Sequence, residues 1–268
     1  MSVWSTYGAA AAKAEARLEH IKSHIEGGFD VQGYVTNIEN HQGNPAACAE
    51  RLSSYAFARG MLAWFETADL EEMKRWFSVA ESLHRYQFSL QSDKMNFLPK
   101  ALDFMRALVS DNEILIDWFC QCRDIVDEKR IQSTTTADFL AYQIVLAAKG
   151  DMRRLSERCL LMSEKPPKGA KQMFLLDNEF FMALANGDKP AMEQVLLELT
   201  SAASIRKRLS SENGYSEGLI STFGIIYAKI AWRSGYEVKC ETPFIPAQWL
   251  PVNSLNHYDP YFSFLRAI

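Results

Sequence analysis

The chain has 268 residues, 48% of them hydrophobic and 23% charged, with 13 glycines and 9 prolines. Surface scaling gives a folded area of roughly 12,000 Å² against about 44,000 Å² unfolded, so a full core is affordable and disorder and collagen-like repetition are excluded. A net charge of -4, from 29 basic and 33 acidic residues, lacks the basic stripe of a nucleic-acid binder and suits a basic protein partner.

Five cysteines, at 48, 120, 122, 159 and 240, make no disulfide framework. They point to a reducing, cytoplasmic setting. No leader is expected, because Ala9 to Ala12 runs straight into Lys13, Glu15 and Arg17. The apolar run at 139–148 is half the length of a membrane span.

The pattern is helical almost throughout. Residues 9–26 are alanine-rich and charged, and a glycine-bearing loop then leads to Pro45. A helix over 46–66 follows, with Leu52, Tyr55, Ala56, Arg59 and Leu62 at steps of three and four. Asp69 and Glu72 form a capping-box spacing ahead of the row Leu70, Met73, Phe77 and Ala80, which His84 continues. Leu98, Leu102, Met105 and Leu108 make another row. Ser110 and Glu113 repeat the capping signal before Ile114, Trp118, Cys122 and Ile125, read as a buried face. Further on come Met173, Leu176, Phe180 and Leu184, then Met192, Leu196 and Leu199, then an apolar helix over 216–234 with Leu219, Phe223, Tyr227 and Ile230 in register.

Breaks recur near Asp69, Asp111, Gly150-Asp151 and Gly187-Asp188, about forty residues apart. A glycine takes the left-handed position that ends a helix, and the aspartate accepts the free N–H groups of the next. The expected fold is therefore all-α: about ten helices in antiparallel hairpins, packed as a bundle or as a short helical-repeat-like array. Pro243, Pro246, Pro251 and Pro260 lie among seven large apolar and aromatic residues, which predicts an irregular proline and aromatic strap laid across the helices. With no convincing linker, residues 1–268 are read as one domain.

Chemistry is sparse. His20 and His24 stand four apart without a third ligand, and Cys120 and Cys122 point in different directions on a helix. No nucleophile elbow, Walker loop or dinucleotide fingerprint occurs, so no catalytic residue, metal or cofactor is assigned. The basic stretch from Lys149 through Arg153, Arg154, Arg158, Lys165 and Lys168 to Lys171 is interrupted by Asp151, Glu157 and Glu164, which argues against direct nucleic-acid or membrane contact. Carboxylates gather near Glu66, Asp69, Glu71 and Glu72, and again from Asp103 to Glu128, where Asp117, Asp124 and Glu128 are expected to share a helix face.

The C-terminal third, strongest over 180–255, resembles the immunity protein 49 family of bacterial polymorphic toxin systems. The resemblance rests on Ala-Leu-Ala-Asn-Gly-Asp at 183–188, on Ile-Tyr-Ala-Lys-Ile-Ala-Trp-Arg-Ser-Gly-Tyr-Glu-Val at 226–238, on Pro-Phe-Ile-Pro at 243–246 and on Trp-Leu-Pro at 249–251. Gly187, Asp188, Trp232, Gly235, Tyr236, Pro243, Pro246 and Trp249 are its structural markers. It implies a non-enzymatic protein that neutralises a cognate toxin, expected to be a basic nuclease, by stoichiometric contact. A toxin of that kind is delivered to neighbouring cells by contact-dependent or secretion machinery. The interface candidates are the charges Glu71, Glu72, Asp117, Asp124 and Glu128, with Trp76 as an aromatic anchor because it lies off the apolar row. The alternative is a helical adaptor or scaffold for a non-toxin protein. Whether the chain self-associates is left open by the sequence.

Overall fold

The computed structural model describes residues 11–267. These residues form helices α1 (Ala11–Glu26), α2 (Val31–Glu39), α3 (Pro45–Thr67), α4 (Leu70–Leu90), α5 (Phe97–Asp103), α6 (Met105–Ser110), α7 (Glu113–Gln121), α8 (Ala137–Ala148), α9 (Met152–Glu164), α10 (Leu175–Asn186), α11 (Lys189–Leu199), α12 (Ala202–Lys207) and α13 (Thr222–Arg233), with short 3-10 turns between some of them. No strand occurs among the described residues. The fold is the all-α bundle expected, with more and shorter helices than the ten foreseen.

The four breaks share one device. Ala68, Asp111, Gly150 and Gly187 take left-handed φ values of 54°, 57°, 71° and 70°. Each is followed by a capping side chain: Asp69, Asn112, Asp151 and Asp188 accept from the backbone N–H three residues on. Such a cap contributes about 1 kcal/mol. The 110–113 junction corrects the sequence reading. Asn112 is the cap, and Ser110 closes α6 with its hydroxyl donated to the Ala107 carbonyl.

The α3–α4 hairpin is the backbone of the bundle. Gly60 permits its close approach, since a Cβ there would lie 2.5 Å from the Phe77 ring. Helices α1 and α2 pack on α3, and α6 and α7 lie against α4. Helices α8 to α11 follow as a run of antiparallel neighbours, and α13 packs against α5, α6, α8 and α11. Residues 222–231 of α13 are all buried. A central helix touching four others is bundle packing; in a solenoid each unit would meet only its neighbours. Helix α13 also starts later than the pattern predicts. Residues 216–221 turn instead, and Ser221 caps the helix.

Helix α7 differs most from its sequence pattern. Its buried residues are Leu115, Ile116, Phe119 and Cys120, while Ile114 is 71% exposed. Two apolar stripes run along this short helix, and the one that meets α4 and α6 wins burial. The C-terminal strap holds as expected. Trp249 is fully buried, with its ring 5.9 Å from Trp64 and 5.6 Å from Phe77, and Phe262 and Leu265 are buried farther along.

Candidate partner-binding surface

Helix α4 separates two clusters of buried charge. At its N-terminal end, Asp111 sits in the left-handed break with its side chain wholly buried. Lys74 Nζ lies 2.7 Å and Lys229 Nζ 2.9 Å from its carboxylate, and Arg233 lies 3.5 Å away. The strap completes this cluster. Asn253 N–H donates to Asp111 at 3.1 Å, Lys74 donates to the Asn253 carbonyl at 2.6 Å, and Lys229 donates to the Trp249 and Pro251 carbonyls. Burial pulls Lys229 down to about 8, against the attraction of Asp111. The lone lysine inside the apolar run 222–231 was the visible signal for this cluster; its carboxylate partner, 118 residues away, was not.

Along α4 toward its C-terminal half, Glu81 is fully buried beside His84 and Arg106. Arg106 Nε donates to Glu81 Oε2 at 3.2 Å, and His84 Nδ1 is 3.4 Å from Glu81 Oε1. Burial would raise the Glu81 carboxyl, but His84 and Arg106 outweigh it and hold the group below its ordinary range. Asp103 lies 3.4 Å from Arg106 and 3.8 Å from His84. Arg106 Nη2 lies 3.2 Å from the same Glu81 oxygen, an ion-pair contact at a poor hydrogen-bond angle, and is sealed from solvent.

This second cluster opens into a trough. A cavity of about 590 Å³ is walled by His20 and His24 of α1, Glu50, Arg51 and Ser54 of α3, the 93–106 segment and Tyr215. A neighbouring cavity of about 350 Å³ continues past Glu212 and Thr222. Phe57, Pro99, Asp103, Arg106 and Asn213 line both, so the two are lobes of one trough. Glu212 accepts from Ser216 Oγ at 2.6 Å, Thr222 N at 2.8 Å and Thr222 Oγ1 at 2.5 Å, and burial raises its carboxyl against those bonds.

The six interface candidates are not brought together. Glu71 and Glu72 stand in the first turn of α4, both paired with Arg75 at 3.0 and 3.4 Å. Trp76 is only 5% exposed, which corrects its reading as a residue off the buried face. Its ring lies 4.7 Å from Tyr261, its N–H donates to Glu72 at 2.8 Å, and Arg59 stacks on it at 4.9 Å. The strap covers Trp76, and periodicity within α4 carries no trace of that cover. Asp117, Asp124 and Glu128 are exposed, but they do not share a helix face: α7 ends at Gln121 and both later residues lie in turns. The Asp124 carbonyl accepts from Ser92 Oγ at 2.8 Å, and Trp118 stacks on Phe88 at 6.4 Å, so this acidic end borders the lip of the trough. It is separated from Glu72 by roughly 27 Å of helix.

The other candidates are structural. His24 Nδ1 pairs with the Tyr215 hydroxyl at 2.7 Å, and among the described residues no group of three His, Cys, Asp or Glu is placed to hold a metal ion. Burial pushes the Cys120 thiol up to about 12, while Cys122 sits half-buried just past the helix end. Arg158 leaves the basic stretch for the core, 3.9 Å over the Phe139 ring. No helix among the described residues is long and apolar enough to cross a membrane. Of the markers, Gly187 ends α10, Asp188 caps α11, Gly235 has φ 87° and Trp232 Nε1 donates to the Val238 carbonyl at 3.1 Å.

Comparison with known families, curated proteins and solved structures gives one match. The family model described as immunity protein 49 aligns with residues 66–249, from the end of α3 to Trp249 in the strap. No curated protein and no solved structure matches. The matched span contains the α4 helix, the charged side chains of both clusters and the α8–α13 body, and leaves α1, α2, most of α3 and the last part of the strap outside it. A non-catalytic protein whose business is contact with another protein follows from that membership. Matched over more than half its length, the chain belongs to the immunity protein 49 family.

Proposed function

We propose that the chain neutralises a cognate antibacterial toxin, a basic nuclease, by forming a stoichiometric complex with it. Family membership carries the immunity reading. The nuclease assignment is supported by charge. Asp117, Asp124 and Glu128 are exposed and make no ion pair among the described residues, and the exposed Ile114 stands one helical turn before Asp117. A nuclease is basic where it meets phosphates, and a carboxylate surface steers and orients such a partner. The acidic end of α7 with the 122–128 turn is the preferred face; Glu71 and Glu72 are already engaged by Arg75.

Co-expression with each neighbouring gene product tests the proposal, scored for growth rescue, co-purification and cleavage of DNA and RNA by the free toxin. A neighbour that kills alone, is rescued and is retained in a one-to-one complex is the expected result. Rescue of a toxin that leaves nucleic acid intact removes the nuclease assignment. A stable complex with a non-toxic housekeeping protein, and no rescue, favours the scaffold reading. Reversal of Asp124 and Glu128 to lysine is expected to slow association most at low salt.

A further inference from the structure

We propose that the face where α3, α4 and the strap meet, centred on Arg59, Trp76 and Tyr261, anchors the toxin, and that it takes a loop presenting an aspartate or glutamate to Arg59. This rests on the immunity reading above and adds the place and chemistry of the contact, without drawing on the nuclease assignment.

Three observations carry it. The first is composition. Tyr261, 59% exposed, is the only exposed aromatic side chain among the described residues. Its ring lies 4.7 Å from the buried Trp76, on which Arg59 also stacks at 4.9 Å, and the Tyr55 ring lies 6.0 Å from Trp76. Two helices and the strap thus bring together tyrosine, tryptophan and arginine, the residue types that dominate binding hot spots. The covered Trp76 is the floor under the two side chains that a partner meets. The second observation is the state of Arg59. Its guanidinium is half-buried, donates to the Tyr55 hydroxyl at 3.0 Å and lies 5.9 Å from the Tyr55 ring centre, and no carboxylate among the described residues comes within ion-pair distance. A guanidinium held against two rings has given up rotamer freedom in advance, and its remaining N–H groups form the planar fork that a carboxylate fits.

The third observation is the pattern of charge around Arg59. The bordering carboxylates are engaged: Glu72 by the Trp76 N–H and Arg75, Glu39 by Ser263 Oγ at 2.7 Å and Asp259 by His257 at 3.4 Å. The face therefore offers one uncompensated cation with carboxylates at its border. A phosphate strand, charged at every nucleotide, would run onto those carboxylates. A protein loop brings a single carboxylate to the centre with neutral or basic side chains beside it, which is the complement of this pattern.

The probe is the toxic neighbour rescued in co-expression, in catalytically silenced form if its toxicity prevents purification. Binding is measured for Arg59→Met, which keeps the stem over Trp76 and removes the charge, for Tyr261→Ala, and for Arg153→Met, an exposed control on α9. The first two are expected to weaken Kd about tenfold or more while remaining folded by their denaturation curves, and the control to stay within about twofold. In the Arg59→Lys variant, a carbodiimide, which joins an amine to a carboxylate, should link position 59 to an aspartate or glutamate of the toxin. Hydrogen exchange of the wild-type complex, which needs no variant, should slow at 257–264. Arg59→Met binding like wild type overturns the carboxylate contact even where Tyr261→Ala is weakened. Unchanged exchange at 257–264, with both variants binding like wild type, overturns the whole face while leaving a rescued and retained toxin, and hence the immunity reading, intact. Failure to rescue any demonstrably toxic neighbour removes both.

Discussion

The Asp111 cluster and the Glu81 cluster use the same chemistry, a buried carboxylate held by cations from other helices, yet they finish differently. Around Asp111, three cations meet one carboxylate, and their spare N–H groups are absorbed by the carbonyls of Trp249, Pro251 and Asn253. The strap is thereby tied across α4 and α13, and the cluster is closed. Around Glu81, Arg106 and His84 meet one carboxylate with no strap laid over them, and the neighbouring Asp103 faces a trough. Buried charge is costly unless every partner is in place, so the strap-covered cluster reads as a latch and the Glu81 cluster as part of the wall of an open trough.

The largest effect expected from breaking this contrast is at the latch. Asp111→Asn strips the carboxylate from Lys74, Lys229 and Arg233 at once and should cost about 3–5 kcal/mol in equilibrium denaturation. Hydrogen exchange should quicken at 249–258, because those residues lose the groups that hold their carbonyls. A destabilisation with the strap still protected would show that the strap is held by Trp249 and Phe262 alone. Arg106→Met is the matching change at the trough. It strands the fully buried Glu81 with His84 as its remaining partner and should cost about 3 kcal/mol, at the lower end, because one cation is removed here whereas three lose their carboxylate at the latch. Equal losses at the two sites would erase the distinction between latch and open surface.

A third, smaller effect concerns alkaline pH. Lys229 is lowered from 10.5 to about 8, so between those values the unfolded chain holds a proton that the folded chain has released. This group therefore adds stability as pH rises through that window and adds none below it. The thiols of Cys120 and Cys159, raised to about 12 by burial, act in the opposite sense from about pH 9 upward. The two contributions separate on comparing Lys229→Met with wild type: the variant should lose stability more steeply between pH 8 and 10. Parallel curves would mean that Lys229 stays protonated in the latch. The smallest effect is expected at the exposed pair. Glu71→Ala breaks the contact with Arg75 and should change stability by less than about 0.5 kcal/mol, because both side chains are largely in water. A loss near that of Arg106→Met would place the acidic first turn in the same class as the buried clusters.

Local rules were the legible part of this fold. The Gly-Asp junctions at 150–151 and 187–188, the Asp69 cap and the rows in α3, α4 and α10 follow from which residues tolerate a left-handed φ, accept a free N–H or repeat at 3.6. Legibility failed where two stripes competed or where a distant segment intervened. Helix α7 offered Ile114–Trp118 and Leu115–Phe119 as alternative faces, and only docking against α4 and α6 chose between them. Trp76 was read from α4 alone, while Tyr261, 185 residues farther on, covers it. The candidate site was less legible still. None of the six interface candidates belongs to the trough, because Glu50, Met95, Arg106 and Glu212 come from four separate stretches and share no spacing.

By itself, then, the sequence determined the helical class, the positions of the main breaks, the burial of the proline and aromatic strap and the family, all of which depend on neighbours in the chain. Tertiary structure alone decided which carboxylate meets Lys229, which face of α7 is buried and where a concave surface opens. Those outcomes depend on distances between residues tens to more than a hundred positions apart. Such distances are fixed by helix packing, and local propensity holds no record of them.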